Sequence, residues 1–306
     1  MTKTIRIGTR DSELALWQAT TVQSQLEALG YKTVLVPVKS TGDLVLDKPL
    51  YELGITGIFT KTLDVAMLTN KVDIAVHSMK DVPTQLPNGI VEAAVLPRAN
   101  VNDILVHKGL DFLELDGTIA TGSLRRKAQW LHKYPQHEVV DLRGNVNLRM
   151  QKLDNNNWNG AIFAAAGLER INLKPEKYSD LDWMIPAPAQ GAMLVVAKTE
   201  DTYCREALAN LNDDSTQQCV HVEREFLRRL EGGCSAPIGA LAQIEEKKMS
   251  FKGALFSIDG KQKISVERSI SLADISGFGL QCADEVLDAG GATLMHTIKT
   301  ELNSTN

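Results

Sequence analysis

Short β-rich runs alternate with helical patterns along the first two-thirds of the chain. This alternation restricts the fold more than any other feature, because strands joined through helices stack into parallel α/β layers. Ile5-Arg6-Ile7 reads as a strand. The next segment reads as a helix that Asp11 or Ser12 can cap, with an apolar stripe Ala15, Ala19, Val22, Leu26, Leu29 and a stop at Gly30. Val34 to Val38, Ile74 to Val76 and Val91 to Val95 read as further strands, with a helix over 60–70. A second set begins near Asp103, with strands at Ile104 to Val106, Ile119-Ala120, Val139 to Leu142 and Ala161 to Ala165, and helices starting near Ser123 and Val146. Two similar α/β lobes are the simplest reading.

From about Ser215 the pattern changes. A helix through Val222, Phe226 and Leu230 ends at Gly232-Gly233, and strand-like runs follow at Ile238 to Ile244, Met249 to Phe256 and Ile264 to Ile270. Asp259-Gly260 is a hairpin signal between the last two, so a small antiparallel α+β domain is expected. The chain has 306 residues, 43% hydrophobic and 23% charged, which suits two or three domains with a sizeable core. It opens on Met-Thr-Lys-Thr-Ile-Arg-Ile without a signal or transit pattern, and no apolar run approaches membrane-spanning length. A cytoplasmic location without a membrane partner is therefore expected. Cys204, Cys219, Cys234 and Cys282 lie far apart, with no histidine at zinc-ligand spacing, so neither a disulfide framework nor a metal site is expected. A formal net charge of −5 argues against general nucleic-acid binding, and any anion site must be a local cluster. Nothing demands more than a monomer.

Basic residues recur at the starts of helices. In Ala120-Thr121-Gly122-Ser123-Leu124-Arg125-Arg126, two guanidinium groups enter a first helical turn, where the helix dipole disfavours cations by roughly 0.3–1 kcal/mol each. A bound anion would remove the conflict. The same order of strand, turn and arginine recurs at Asp141-Leu142-Arg143-Gly144-Asn145, with Arg149 one turn further, and at Ile7-Gly8-Thr9-Arg10-Asp11-Ser12. Free N–H groups at such ends bind anions and arginine adds a bidentate contact, so together these sites suit a poly-carboxylate. Against this stands the default for arginine, a solvated or salt-bridged surface charge among 38 acidic residues.

The run from Asp73 to Pro83 delivers Lys80 and Asp81 near the carboxyl end of a buried-type strand, where open α/β sheets bind ligands. Asp81 is placed like a catalytic carboxylate. It could equally cap a turn and pair with Lys80, while His77 reads as a packed strand residue. Leu230-Glu231-Gly232-Gly233-Cys234-Ser235 sets a thiol on a glycine-rich turn, able to project into a cleft or to lie buried and inert. No Cys-His pairing is legible around it, and neither G-x-x-x-x-G-K-[ST] nor G-x-G-x-x-G occurs.

At these residues the chain resembles the hydroxymethylbilane synthases, or porphobilinogen deaminases, over essentially its whole length. The resemblance is carried by Thr9 to Ala19, Asp73 to Pro83, Gly122 to Gln129, Leu142 to Asn145, Ala166-Gly167-Leu168, Gln190-Gly191-Ala192 and Leu230 to Gly239. It implies two periplasmic-binding-protein-like α/β lobes plus a small C-terminal α+β domain with a three-stranded antiparallel sheet. The implied boundaries are 1–97 and 188–212 for the first lobe, 98–187 for the second and 213–306 for the last. It also implies a dipyrromethane cofactor joined to Cys234 by a thioether, onto which porphobilinogen is added to give a growing oligopyrrole.

The resemblance assigns Asp81 to the pyrrole N–H groups, as the catalytic residue. Lys80, Asp81, Ser123, Arg125, Arg126, Arg143 and Gly144 fall at its cofactor-binding positions, and Arg10, Ser12, Arg149, Arg170 and Gln190 at its substrate-binding ones. One departure stands out. Many relatives carry a lysine in the glycine-rich loop over the site, where this chain has Gly54-Ile55-Thr56-Gly57-Ile58-Phe59, with Glu52 nearby. A two-lobe polyanion-binding protein without catalysis is the rival reading, and a transferase using Cys234 as a direct nucleophile is another. Lys61 is the residue expected to replace the missing loop lysine. Lys61→Ala should then raise the KM for porphobilinogen about threefold or more in steady-state assays, and an unchanged KM removes Lys61 from the site.

Overall fold

The computed structural model describes residues 3–39, 60–230 and 236–304. Of these, 3–39, 60–99 and 191–218 cluster into one compact unit, and 100–190, 219–230 and 236–304 into a second. The first unit opens with β1 (Thr4–Thr9), α1 (Glu13–Ala28), β2 (Lys32–Pro37), α2 (Lys61–Leu68), β3 (Ile74–Ser78) and β4 (Ile90–Val95). The second begins with β5 (Asp103–His107), β6 (Thr118–Ala120), α3 (Leu124–Lys133), β7 (Glu138–Val140), α4 (Val146–Asn155), β8 (Gly160–Ala164), α5 (Ala165–Arg170) and β9 (Tyr178–Asp180). The chain then returns to the first unit with β10 (Met193–Lys198) and α6 (Thr202–Ala209). It ends with α7 (Asp214–Arg229), β11 (Ile238–Glu245), β12 (Lys248–Phe256), β13 (Lys263–Ser271), α8 (Phe278–Val286) and α9 (Ala292–Ser304).

The two α/β lobes have five-stranded sheets of matching design, β2-β1-β3-β10-β4 and β7-β6-β8-β5-β9. Within these layers β10 and β5 each run antiparallel to both neighbours. Both strands lie where the chain passes between units. A strand that does not come from a β-α-β crossover is free to run the other way. The central strands are buried on both faces: β3 is buried from Ile74 to His77, as expected in an α/β layer. In α1 the predicted stripe holds for Ala15, Ala19, Val22 and Leu26, whereas Leu29 falls at the C-cap and is 49% exposed. Ser12 is the N-cap residue, yet its hydroxyl makes no capping bond; its carbonyl accepts from Leu16 N–H at 2.9 Å.

The last three strands form the expected antiparallel sheet, β11-β12-β13. Its core stacks Phe226 of α7, Phe251 of β12 and Phe278 of α8 edge to face, with ring centroids 5.1 and 6.1 Å apart. At the Asp259-Gly260 turn Gly260 has φ +74°, and a Cβ there would come within 2.5 Å of the Ala128 carbonyl in α3. The predicted glycine thus serves close approach as well as turn geometry. The Gly54–Phe59 loop and the 231–235 segment with Cys234 lie outside the described residues. Among the described residues, no helix is long and apolar enough to cross a membrane.

One buried carboxylate ties α7 to two other segments of the second unit. Glu223 is fully buried, with Oε2 accepting from Ala189 N–H at 2.6 Å and Oε1 from Ala242 N–H of β11 at 2.8 Å. Ala189 has φ +64°, an unfavourable conformation for a residue with a Cβ, and this bond helps to hold it. Removing the carboxylate strands both donors, at about 1–3 kcal/mol each. Glu223→Ala should therefore lower stability by about 2–6 kcal/mol and move the thermal midpoint down by several degrees, measured by calorimetry.

Candidate functional site

In the first unit β1 and β3 are parallel neighbours, paired at Ile7↔Ile74 and Gly8↔Ala75. The turns that follow them therefore leave the same edge of the sheet. After β1 come Arg10 and Ser12; after β3 comes a short 3-10 turn, Met79–Asp81, carrying Lys80 and Asp81. Met79 is fully buried and anchors that turn, its N–H donating to the Ala192 carbonyl at 3.0 Å and its carbonyl accepting from Val82 N–H at 3.1 Å. Gln18 of α1 donates to Ser78 Oγ at 2.9 Å, fixing the turn's entry. Arg10, Ser12, Lys80 and Asp81 are all half-buried on the turns at that edge. Lys61 is exposed at the first position of α2.

His77 is buried in β3, as a packed strand residue should be. Burial and the nearby Arg10 charge pull its imidazole down to about 4. It is neutral at physiological pH.

In the second unit the parallel strands β7, β6 and β8 are neighbours, and their carboxyl ends collect the other expected residues. Ser123 follows β6 and caps α3, its hydroxyl accepting from Arg126 N–H. A Cβ on Gly122 would lie 2.5 Å from the Leu142 carbonyl, so glycine is required for the β6 and β7 turns to meet. After β7, Asn145 caps α4 by accepting from Leu148 N–H at 2.9 Å. Gly144 has φ +114°, and its carbonyl accepts from Arg149 Nε at 2.7 Å. Arg143 is buried, and burial lowers its guanidinium from the ordinary value. Arg170, at the last position of α5, is half-buried and drawn down to about 10 by burial, still a full cation at neutral pH.

The predicted conflict at the start of α3 is answered from inside the protein. Asp103, the first residue of β5, is fully buried; it accepts from Arg125 Nη1 at 2.7 Å and from Arg126 Nε at 2.9 Å, and its Oδ1 also ion-pairs with Arg126 Nη2 at 2.8 Å. Arg126 Nη1 also donates to the Ile162 carbonyl at 3.0 Å, and Arg125 Nη1 to the Ile185 carbonyl at 2.8 Å. Burial alone would raise the Asp103 carboxyl, but the two guanidinium groups outweigh it and hold the carboxyl well below the usual range. Gln190, expected at a ligand, is instead fully buried, with Nε2 donating to Asp103 Oδ1 at 3.0 Å and to the Val101 carbonyl at 2.8 Å. Sequence reasoning missed Asp103. Its only mark was a charged residue at the head of the apolar run Ile104-Leu105-Val106.

Two guanidinium groups against one carboxylate leave this buried cluster with an excess positive charge, and Arg125 Nε is buried with no hydrogen-bond partner among the described residues. That is the chemistry of an anion-binding edge, and it fits a group bearing several carboxylates. The three described cysteines are buried free thiols. Burial pushes Cys204 and Cys282 up to about 12, and Cys219 packs in the C-terminal core.

Sheets and strand ends together define a two-lobed α/β protein with cationic residues at the carboxyl edges of both lobes and a small antiparallel C-terminal domain. The profile of "Porphobilinogen deaminase, dipyromethane cofactor binding domain" matches residues 5–206, and that of "Porphobilinogen deaminase, C-terminal domain" matches residues 217–288. The porphobilinogen deaminase of Trichlorobacter lovleyi is 41% identical over 302 residues, 97% of each chain, and that of Syntrophotalea carbinolica is 40% identical over 298 residues, 95% of each. The chain belongs to the porphobilinogen deaminase family. Among solved structures, the methionine-binding protein MetQ aligns with 72% of this chain and 93% of its own, at 13% identity and a TM-score of 0.44.

The buried imidazole supplies a pH test with a definite sign. An unfolded histidine takes a proton near pH 6.5, whereas folded His77 resists one until about 4. Its contribution to stability is complete above about pH 6.5 and is lost as pH falls toward 4. NMR of the ring should show no titration of His77 above pH 5; a midpoint near 6.5 contradicts the buried arrangement.

Proposed function

We propose that the chain catalyses the hydroxymethylbilane synthase reaction of tetrapyrrole biosynthesis, condensing four porphobilinogens with release of ammonia and then releasing the linear product from the primer by hydrolysis. The observation that carries this reading is the Arg125–Asp103–Arg126 cluster, beside Arg143 and Arg149, on a strand edge of a chain from the porphobilinogen deaminase family. It is a transferase, and its cofactor is dipyrromethane, held as a thioether on Cys234. When bound, that group supplies a primer with a free pyrrole end for chain growth.

Each addition breaks the aminomethyl C–N bond of a substrate, releases ammonia, forms a C–C bond and frees the proton of the attacked ring carbon. Loss of ammonia leaves a cation. We assign Asp81 to hold the pyrrole N–H groups, to stabilise that cation and to relay the protons; its half-buried place on a rigid turn suits a fixed carboxylate. Lys80, Ser123, Arg125, Arg126, Arg143 and Gly144 are assigned to the cofactor. Arg10, Ser12, Arg149 and Arg170 are assigned to the acetate and propionate groups of the substrate and the growing chain. Gln190 acts from behind, through Asp103. Ser12 suits its role because its hydroxyl is not spent on a helix cap.

The domain division that goes with this reading is 1–97 with 188–212, 98–187, and 213–306. The enzyme is assigned to the cytoplasm, as a monomer acting on small molecules without nucleic-acid or membrane partners. The test is the intact mass of denatured protein: wild type should carry the added mass of two linked pyrroles and Cys234→Ala should not. A wild-type chain that stays unmodified after incubation with porphobilinogen moves the reading to a binding protein. In the loaded enzyme, Asp81→Asn should lower kcat by about a hundredfold or more while the added mass remains.

A further inference from the structure

We propose that Asp103 is the positioning residue of the carboxylate-binding arginines, setting their geometry and their net charge without touching ligand; this rests on the function proposed above. The partners of both its carboxylate oxygens lie inside the second unit. Oδ2 takes Arg125 Nη1 at 2.7 Å, and Oδ1 takes Arg126 Nε at 2.9 Å, Arg126 Nη2 at 2.8 Å and Gln190 Nε2 at 3.0 Å. With no exposed surface, it cannot reach a bound molecule.

Its backbone is held as tightly as its side chain. Asp103 pairs with Ala164 at the end of β8, its carbonyl accepts from Leu181 N–H at 2.9 Å, and the Asn102 carbonyl beside it accepts from Ala165 N–H at 3.0 Å. Because β5 is antiparallel, its first residue arrives at the edge where β6 and β8 end. A carboxylate on a loop could follow its arginines; this one cannot.

The pair then divides the work. Arg126 has Nε and Nη2 on Asp103 and Nη1 on the Ile162 carbonyl, which locks it in place. Arg125 meets Asp103 and the Ile185 carbonyl through Nη1 alone, leaving its Nε without a hydrogen-bond partner among the described residues. One carboxylate against two guanidinium groups leaves an excess of one positive charge. Asp103 thus orients the arginines while leaving charge for a ligand carboxylate.

Charge and geometry predict opposite outcomes for Asp103→Asn. Loss of the negative charge makes the cluster more positive, and by charge alone it should tighten carboxylate binding and lower KM. Loss of orientation should raise KM by about tenfold and cut the primer-bearing fraction of purified protein by a similar factor. We expect the second outcome in intact mass and steady-state kinetics, with partial rescue by Asp103→Glu. A variant whose folded fraction keeps KM and primer content within about twofold of wild type, with only its thermal midpoint lowered, overturns the proposal. A lowered KM overturns it too. If Asp103→Asn does not fold, Gln190→Met removes one donor to Oδ1 and carries the test: a KM rise of about threefold supports positioning, and no change refutes it. Wild type without the added pyrrole mass would sink the underlying function instead, so the two failures are distinguishable.

Discussion

Two guanidinium groups share one buried carboxylate, and the architecture of the second unit serves that arrangement. Burying any one of these charges alone would be prohibitive, and breaking such a group by removing one partner typically costs about 3–5 kcal/mol. Both arginines enter on α3, which follows β6, while Asp103 enters on β5, which β8 separates from β6 in the same sheet. The cluster therefore forms only when β8 has inserted between β6 and β5, which gives the sheet's order a direct chemical consequence. Gln190, at the end of the segment leading back to the first unit, closes the network.

The two lobes use one topology for different chemistry. At the edge of the first sheet a rigid turn presents Asp81 beside Lys80, with Arg10 and Ser12 on the neighbouring turn. At the edge of the second, arginines predominate and the carboxylate among them is buried beneath. His77 behind the first edge stays neutral, so it adds no positive charge next to Arg10.

The C-terminal domain is held to the rest of the second unit by contacts with little tolerance. Glu223 gives both oxygens to backbone donors, the Gly260 turn leaves no room for a side chain against α3, and a Cβ on Gly239 would come within 2.8 Å of the Ile185 carbonyl. The Ile185 carbonyl also accepts from Arg125 and Gln129. The strand that begins just after the cysteine-bearing segment is thus packed against residues that touch the arginine cluster.

Much of this was readable from the chain. The periodicity located the strands other than β9 and β10, the early helices, the Asp259-Gly260 turn and the antiparallel character of the last domain, because these depend on neighbours a few residues apart. Basic residues at helix starts marked the anion edge, since the helix dipole opposes them locally. Local pattern carries no strand direction, so the antiparallel course of β5 and β10 was not legible, and neither was the exposure of Leu29 at a helix end. What the sequence by itself determined was most of the strands, the early helices, the family and the residue types at the strand ends it located. The tertiary structure alone decided which charges meet, making Asp103 the centre of the arginine cluster and setting Gln190 behind it. Partners 22, 23 and 87 positions apart along the chain are brought together by sheet order, which no local spacing encodes.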